Sequence, residues 1–236
     1  MLEVLAVSTL TALATALGVI PVWALGSDAE RWRPALTGFA GGAMAVAAIV
    51  GLLEPALDRG SLPEVAFGFL AGVAFLLVTR LALGTRHGLG RDQRSAMLIF
   101  GVLFVHSLPE GFAIGTAYAS EEVGLGLFVV VAIALQNIPE GTGVALPMAA
   151  SGASVSRQAW AAVMTSVPQP IGACIAFLLV EQIHGLLPIS FGFAAGAMMM
   201  LVVMELRPHK PTIGGWALGF VFGAGLMLAV GSAAGV

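Results

Sequence analysis

The apolar positions of this chain fall in long, nearly unbroken runs. They show neither the period-two alternation of half-buried strands nor the narrow stripe of a surface helix. A helix that crosses a bilayer needs about 20 mostly apolar residues. Eight runs of that kind can be marked, at roughly 2–25, 35–57, 63–84, 95–119, 123–150, 157–181, 188–206 and 213–235. Turn and charge clusters separate them, among them Gly26-Ser27-Asp28, Asp58-Arg59-Gly60, Glu121-Glu122, Ser151-Gly152 and Pro208 to Pro211. The connections are short and carry no soluble domain. The expected fold is all-α: a single integral membrane domain over residues 1–236, with eight transmembrane helices. No basic segment precedes the first run, so it is read as the first span and not as a removed leader.

Composition narrows the function classes. The 236 residues are 58% hydrophobic and 10% charged, where a soluble domain carries about 25% charged residues. Cytosolic enzymes, nucleic-acid binders and disordered chains are excluded. A net charge of -3 implies no polyanionic partner, and the single cysteine, Cys174, excludes disulfide frameworks and cysteine-rich zinc sites.

The basic residues orient the bundle. One set of connections and flanks holds Arg31, Arg33, Arg80, Arg86, Arg91, Arg94, Arg157, Arg207 and Lys210, and the other holds only Arg59. Positive charge favours the cytoplasmic side, which puts both termini outside. The outer side carries Glu3, Asp58, Glu64, Glu121, Glu122 and Glu181, with Glu54 nearby. These acids either concentrate cations before entry or merely fill places denied to arginine.

Five small-xxx-small pairs, Gly38/Gly42, Gly68/Gly72, Gly111/Gly115, Gly192/Gly196 and Gly219/Gly223, predict close helix contacts in lipid. The chemistry lies in a repeat. His106-Ser107-Leu108-Pro109-Glu110-Gly111 returns thirty residues later as Gln136-Asn137-Ile138-Pro139-Glu140-Gly141. Each copy sits near the middle of its span, the fourth and the fifth, which run antiparallel. A repeated motif at mid-depth in opposed helices points to a pseudo-two-fold axis in the membrane plane with a binding site on it.

An ionised carboxylate at a helix centre costs about 2.5–3.5 kcal/mol on insertion scales. No Lys or Arg lies at that depth to pair with Glu110 or Glu140, so protons or a metal ion must supply the positive charge. His106 shares a helix face with Glu110, and Gln136 with Glu140, by their spacing of four. An imidazole, two carboxylates and an amide suit a borderline dication such as Zn2+, whose charge the two carboxylates cancel. Pro109 and Pro139 free the carbonyls of Val105 and Leu135, and Gly111 and Gly141 are expected to let the two kinked helices approach each other. Gln169, between Pro168 and Pro170 at the middle of the sixth span, is placed to add an oxygen or orient a ligand, as are Ser107 and Asn137. The alternative for Gln169 is ordinary helix-helix hydrogen bonding. Glu205 either lines an exit route or snorkels beside Arg207, and Glu54 is similarly divided between entry lining and interface. Met198, Met199, Met200 and Met204 read as core packing, and His87, His184 and His209 as solvated loop residues.

These motifs resemble those of the ZIP (Zrt/Irt-like) family of divalent metal-ion transporters, which have eight spans and both termini outside. The family carries His-Asn-x-Pro-Glu-Gly on the fourth helix and His/Gln-Asn/Asp-x-Pro-Glu-Gly on the fifth. Leu52-Leu53-Glu54-Pro55, Pro168-Gln169-Pro170-Ile171-Gly172 and Glu205-Leu206-Arg207-Pro208 fall where the family has comparable motifs. The resemblance implies a primary metal site of His106, Glu110, Gln136 and Glu140, and a second position near Ser107, Asn137 and Gln169. Ser107 replaces the usual Asn and Gln169 the usual Glu, so one ion, or one tight and one weak, is expected. It also implies an inverted-repeat bundle working as an elevator, with helices 1, 4, 5 and 6 moving against 2, 3, 7 and 8, in a homodimer of the plasma (inner) membrane.

The expected function is uptake of a divalent transition metal, Zn2+ first, with Cd2+, Mn2+, Fe2+ and Co2+ as alternatives and no resident cofactor. A metal-selective channel and a proton-coupled carrier are the other transport readings. The only lysine, Lys210, precedes Pro211, so no phosphate loop for ATP exists. An intramembrane zinc hydrolase would want His-Glu-x-x-His, which is absent.

Overall fold

The computed structural model describes the backbone of residues 1–84, 91–205 and 213–236, with the side chains of residues 27, 83–84, 91–100, 102–103 and 205 excluded. Glu205, Arg207, Lys210, His87 and His209 therefore lie outside the described side chains. Eight long helical segments follow one another: α1 (Leu2–Leu25), α2 (Ala29–Arg59), α3 (Leu62–Gly84), α4 (Arg91–Ala119), α5 (Val123–Ala150), α6 (Val155–Gln182), α7 (Leu187–Glu205) and α8 (Ile213–Ala234). Among the described residues, seven are long and apolar enough to cross a membrane. The remaining one, α4, is 29 residues long and occupies the fourth predicted span.

The runs expected from hydropathy correspond to these helices one by one. The largest difference is α2, which starts at Ala29 and not at 35, so Arg31 and Arg33 sit in its first turns. Hydropathy misses such a start because a charged first turn is polar yet helical.

Three helices are irregular at mid-span. A 3-10 turn, Thr15–Gly18, interrupts α1. A π turn, Ile49–Leu53, interrupts α2. In α6 the helix stops at Thr165 and restarts at Pro168, a residue that suits a first helical position because it has no N–H to lose.

The packing pairs obey a simple exchange. α2 packs most extensively on α8, α3 on α7, and α4 on the second half of α6, while α5 packs on α1 and on α2, and α4 on α7. Replacing each of α1, α2 and α3 by α6, α7 and α8, and α4 by α5, turns these pairs into one another. Helices five apart in a chain that reverses at each connection run in opposite directions. The arrangement is that of an inverted repeat.

Glycine makes these contacts close. A Cβ on Gly38 would lie 2.0 Å from the Trp216 carbonyl oxygen, and one on Gly219 would lie 2.0 Å from that of Ala35. The α3–α7 pair repeats the fit through Gly68 against Ile189 and Gly196 against Phe69. Without a Cβ the backbones touch, which is how helices associate where lipid removes the hydrophobic drive. The core between the pairs is filled by Met44, Leu52, Ile114, Phe128 and Phe191, all fully buried. α3 and α8 are the outermost helices and expose Phe67, Leu70, Leu218 and Phe222.

Candidate metal centre

The repeated motifs meet at the centre of the bundle. His106 and Glu110 are one turn apart on α4, and Glu140 reaches them from α5. Donor atoms of the three residues all lie within 4.8 Å of one another, and all three residues are buried. His106 Nε2 is 3.4 Å from Glu140 Oε2 and 3.7 Å from Glu110 Oε1. Ligands placed tetrahedrally about 2.0–2.2 Å from zinc lie about 3.3–3.6 Å from one another. The observed separations fit the edges of such a polyhedron better than they fit hydrogen bonds.

The polar accounting supports the same reading. Both ring nitrogens of His106, Glu110 Oε2, Glu140 Oε1, Gln136 Oε1 and Asn137 Oδ1 are buried with no hydrogen-bond partner. Buried polar groups are ordinarily paired, and leaving one unpaired costs about 1–3 kcal/mol. Six orphaned atoms within two turns of helix are intolerable unless something else binds them. All are electron-pair donors, or become so on losing a proton, which is the chemistry of a cation site. Gln136, expected to lend its amide to the centre, has its two ends in different surroundings. Its Nε2 donates to Glu110 Oε1 at 2.6 Å, so the amide braces a carboxylate and leaves only its own oxygen open.

Beside this open cluster lies a second, almost saturated one. Asn137 Nδ2 donates to the Thr11 carbonyl at 2.7 Å and to Gln169 Oε1 at 3.1 Å. Gln169 Nε2 donates to Thr11 Oγ1, which in turn donates to the Ser8 carbonyl at 2.9 Å. Thr15 and Ser166 join the interruptions of α1 and α6 through a hydroxyl pair at 2.7 Å. Gln169 thus lies with Asn137 and α1, its oxygen engaged. Ser107 is buried on α4.

The motif glycines do not bring α4 and α5 together, as the sequence reading had it. A Cβ on Gly111 would lie 2.0 Å from the Gln169 carbonyl on α6, and one on Gly141 would lie 1.9 Å from that of Thr15 on α1. The reason is angular. Successive helical residues point about 100° apart, so when each Glu faces the shared centre, the Gly after it faces sideways to the next helix.

Residues expected outside the centre remain outside it. Glu54 and the outer acids Glu3, Asp58, Glu64, Glu121, Glu122 and Glu181 are exposed. Arg59 forms an ion pair with Glu122 and donates to the Pro55 carbonyl at 3.1 Å, tying α2 to the α4–α5 connection. On the opposite side, a cavity of about 570 Å³ opens between the C-terminal ends of α1 and α5 and the start of α2, lined by Val22, Glu30, Arg33, Gly143 and Pro147. Met198 is buried in the core, with Met199, Met200 and Met204 packed against it.

Sequence reasoning missed Thr11, Thr15 and Ser166. A signal was present for two of them: Ser8, Thr11 and Thr15 recur at steps of three and four, a polar stripe along an otherwise apolar span.

Comparison with known proteins places this geometry in context. A family model described as the ZIP zinc transporters matches residues 82–231. The chain is 33% identical over 222 residues to the zinc transporter GufA of Myxococcus xanthus, covering 87% of each chain. It is 32% identical over 244 residues to the zinc transporter ZIPB of Bordetella bronchiseptica, covering 94% of this chain and 78% of the relative. It is 35% identical over 205 residues to a putative zinc transporter of Arabidopsis thaliana. That match takes in 84% of this chain but only 33% of the plant protein.

Proposed function

The chain belongs to the ZIP family, whose members are transporters and not enzymes, and from that premise we propose that it carries zinc across the membrane through the centre formed by His106, Glu110 and Glu140. The observation that carries this reading is the set of unpaired donor atoms on those residues. Two carboxylates and a neutral imidazole bring one dication to electroneutrality in a low dielectric. Gln136, Asn137 and Ser107 complete the surroundings. The same donors would accept Cd2+, Mn2+, Fe2+ or Co2+, and the one nitrogen among them favours zinc over the oxygen-seeking ions.

Transport runs toward the cytoplasm. The basic residues Arg31 and Arg33 mark the cytoplasmic side, and the cavity beside Arg33 lies on that side. Gly143 lines it, and a Cβ there would meet nothing within 4 Å. Gly143 is three residues beyond Glu140, so along α5 the cavity comes within about one helical turn of the centre. The outer side is tied by Arg59 and Glu122. This asymmetry supports alternating access, with α1, α4, α5 and α6 as the moving group and α2, α3, α7 and α8 as the frame. The protein is a homodimer of the plasma (inner) membrane in this reading, and the exposed apolar faces of α3 and α8 supply surface for lipid and a partner.

The test is zinc flux into proteoliposomes. Saturable wild-type flux that vanishes in Glu140→Ala is the expected result. Flux that stays linear to high zinc concentration would indicate a channel, and flux that follows an imposed pH gradient a proton-coupled carrier. Undiminished flux in Glu140→Ala removes the site assignment.

A further inference from the structure

The saturated cluster has a direction that two backbone carbonyls impose. The Ser8 carbonyl can only accept, so the Thr11 hydroxyl proton is committed to it. Thr11 Oγ1 is then left as an acceptor, and Gln169 must turn its NH2 toward it. Gln169 Oε1 is thereby aimed at Asn137, which must answer with its own NH2. The Thr11 carbonyl, again an acceptor only, takes the other Asn137 amide hydrogen. Both donor hydrogens of Asn137 are used. Its Oδ1 is the one atom of the chain left over, fully buried and unpartnered. Asn137 precedes Glu140 by three residues, so the two side chains are neighbours on the surface of α5 and that oxygen lies beside the centre.

We propose that Thr11, acting with Gln169, is a positioning residue of the metal centre: the hydrogen-bond chain Asn137–Gln169–Thr11–Ser8 fixes the Asn137 amide so that it offers its carbonyl oxygen, and not its NH2, to the transported ion. An amide is nearly symmetric in shape, and its two ends differ in sign toward a cation. Presenting the NH2 would repel the ion that the oxygen attracts. α1 has no residue among the clustered donors His106, Glu110 and Glu140, yet through Thr11 it sets the polarity of a neighbouring group. Supporting partners of this kind change metal affinity about 10–100-fold. A carbonyl oxygen matters more to Mn2+ than to Zn2+, so the chain also bears on selectivity.

The inference rests on the zinc-centre reading, and the experiment separates the two. Zinc and manganese dissociation constants are measured on the purified full chain in nanodiscs for wild type, Thr11→Val, Thr11→Ser, Gln169→Met, the Thr11→Val/Gln169→Met double variant and Glu110→Gln. Thr11→Val and Gln169→Met are expected to weaken manganese binding about tenfold and zinc binding less, so that the preference for zinc rises. Thr11→Ser keeps the hydroxyl and restores the wild-type ratio. The double variant binds no more weakly than the weaker single one, because both break one chain. Unchanged constants in Thr11→Val and Gln169→Met overturn the proposal, as does equal weakening of both metals that Thr11→Ser fails to rescue. Should Thr11→Val not remain monodisperse, the manganese-to-zinc ratio of Gln169→Met decides alone. Glu110→Gln reports on the centre itself: if zinc binding survives that change intact, the underlying reading fails whatever the Thr11 variants do.

Discussion

Two polar clusters share the middle of this bundle, and they differ in what they leave unpaired. In the cluster of His106, Glu110 and Glu140, both imidazole nitrogens and one oxygen of each carboxylate are buried with no hydrogen-bond partner. In the neighbouring cluster of Thr11, Asn137 and Gln169, all but one of the side-chain polar atoms have partners. Both are buried and both stand on interrupted or proline-bearing helices. The difference shows that burial of polar groups in a membrane protein is ambiguous until their partners are counted. Saturated groups hold helices together, whereas orphaned donors mark the place of something that comes and goes.

Substitutions at the open cluster break this contrast most severely. Glu110→Ala is expected to lower zinc transport at least about 100-fold, since it removes a ligand and half of the neutralising charge. The variant should still elute as a monodisperse species, because it also removes one buried carboxylate that the empty protein must otherwise carry. Zinc uptake and size-exclusion profiles, taken together, check both halves of that statement. His106→Ala comes next, with a rise in the zinc dissociation constant of about 10–100-fold. Its manganese affinity should fall less, because the lost ligand is nitrogen; calorimetry with the two metals measures the difference.

Gln169→Glu turns the saturated cluster into an open one. The new carboxylate no longer has an NH2 for Thr11, and the three carboxylates then exceed the charge of one dication. Metal stoichiometry by elemental analysis should move from one ion per chain toward two, and a stoichiometry fixed at one would dissociate Gln169 from any metal position. The smallest effect is expected at Thr142→Val. Thr142 Oγ1 donates to the Gly18 carbonyl at 2.9 Å, linking α5 to the irregular turn of α1. Losing that bond costs about 1 kcal/mol, seen as a modest fall in melting temperature with an unaltered zinc dissociation constant.

Much of this was legible in the amino-acid order. Span number and order follow from the bilayer's demand for long apolar runs, a constraint that acts on each helix separately. The pairing of His106/Glu110 with Glu140 was legible because the motif repeats, and a repeated acid without a cation at mid-depth has few solutions. The direction of Gly111 and Gly141 was not read, although the angle between neighbouring helical residues contains it. The role of Thr11 was out of reach for another reason. Its partner Gln169 lies 158 residues away, and only the packing of α1 against α5 and α6 brings the polar stripe of α1 to the amides. The Arg59–Glu122 pair depends likewise on a contact between connections 63 residues apart. The sequence marked Arg59 only as the lone basic residue on its side.

The most direct measurement is an anomalous-scattering map of the zinc-loaded protein, collected for the wild type and for Glu110→Ala. The account predicts a single strong zinc peak in the wild type, about 2.0–2.2 Å from a nitrogen of His106 and from carboxylate oxygens of Glu110 and Glu140, and no such peak in the variant. A wild-type peak at some other place in the bundle, or one that persists unchanged without Glu110, would contradict it.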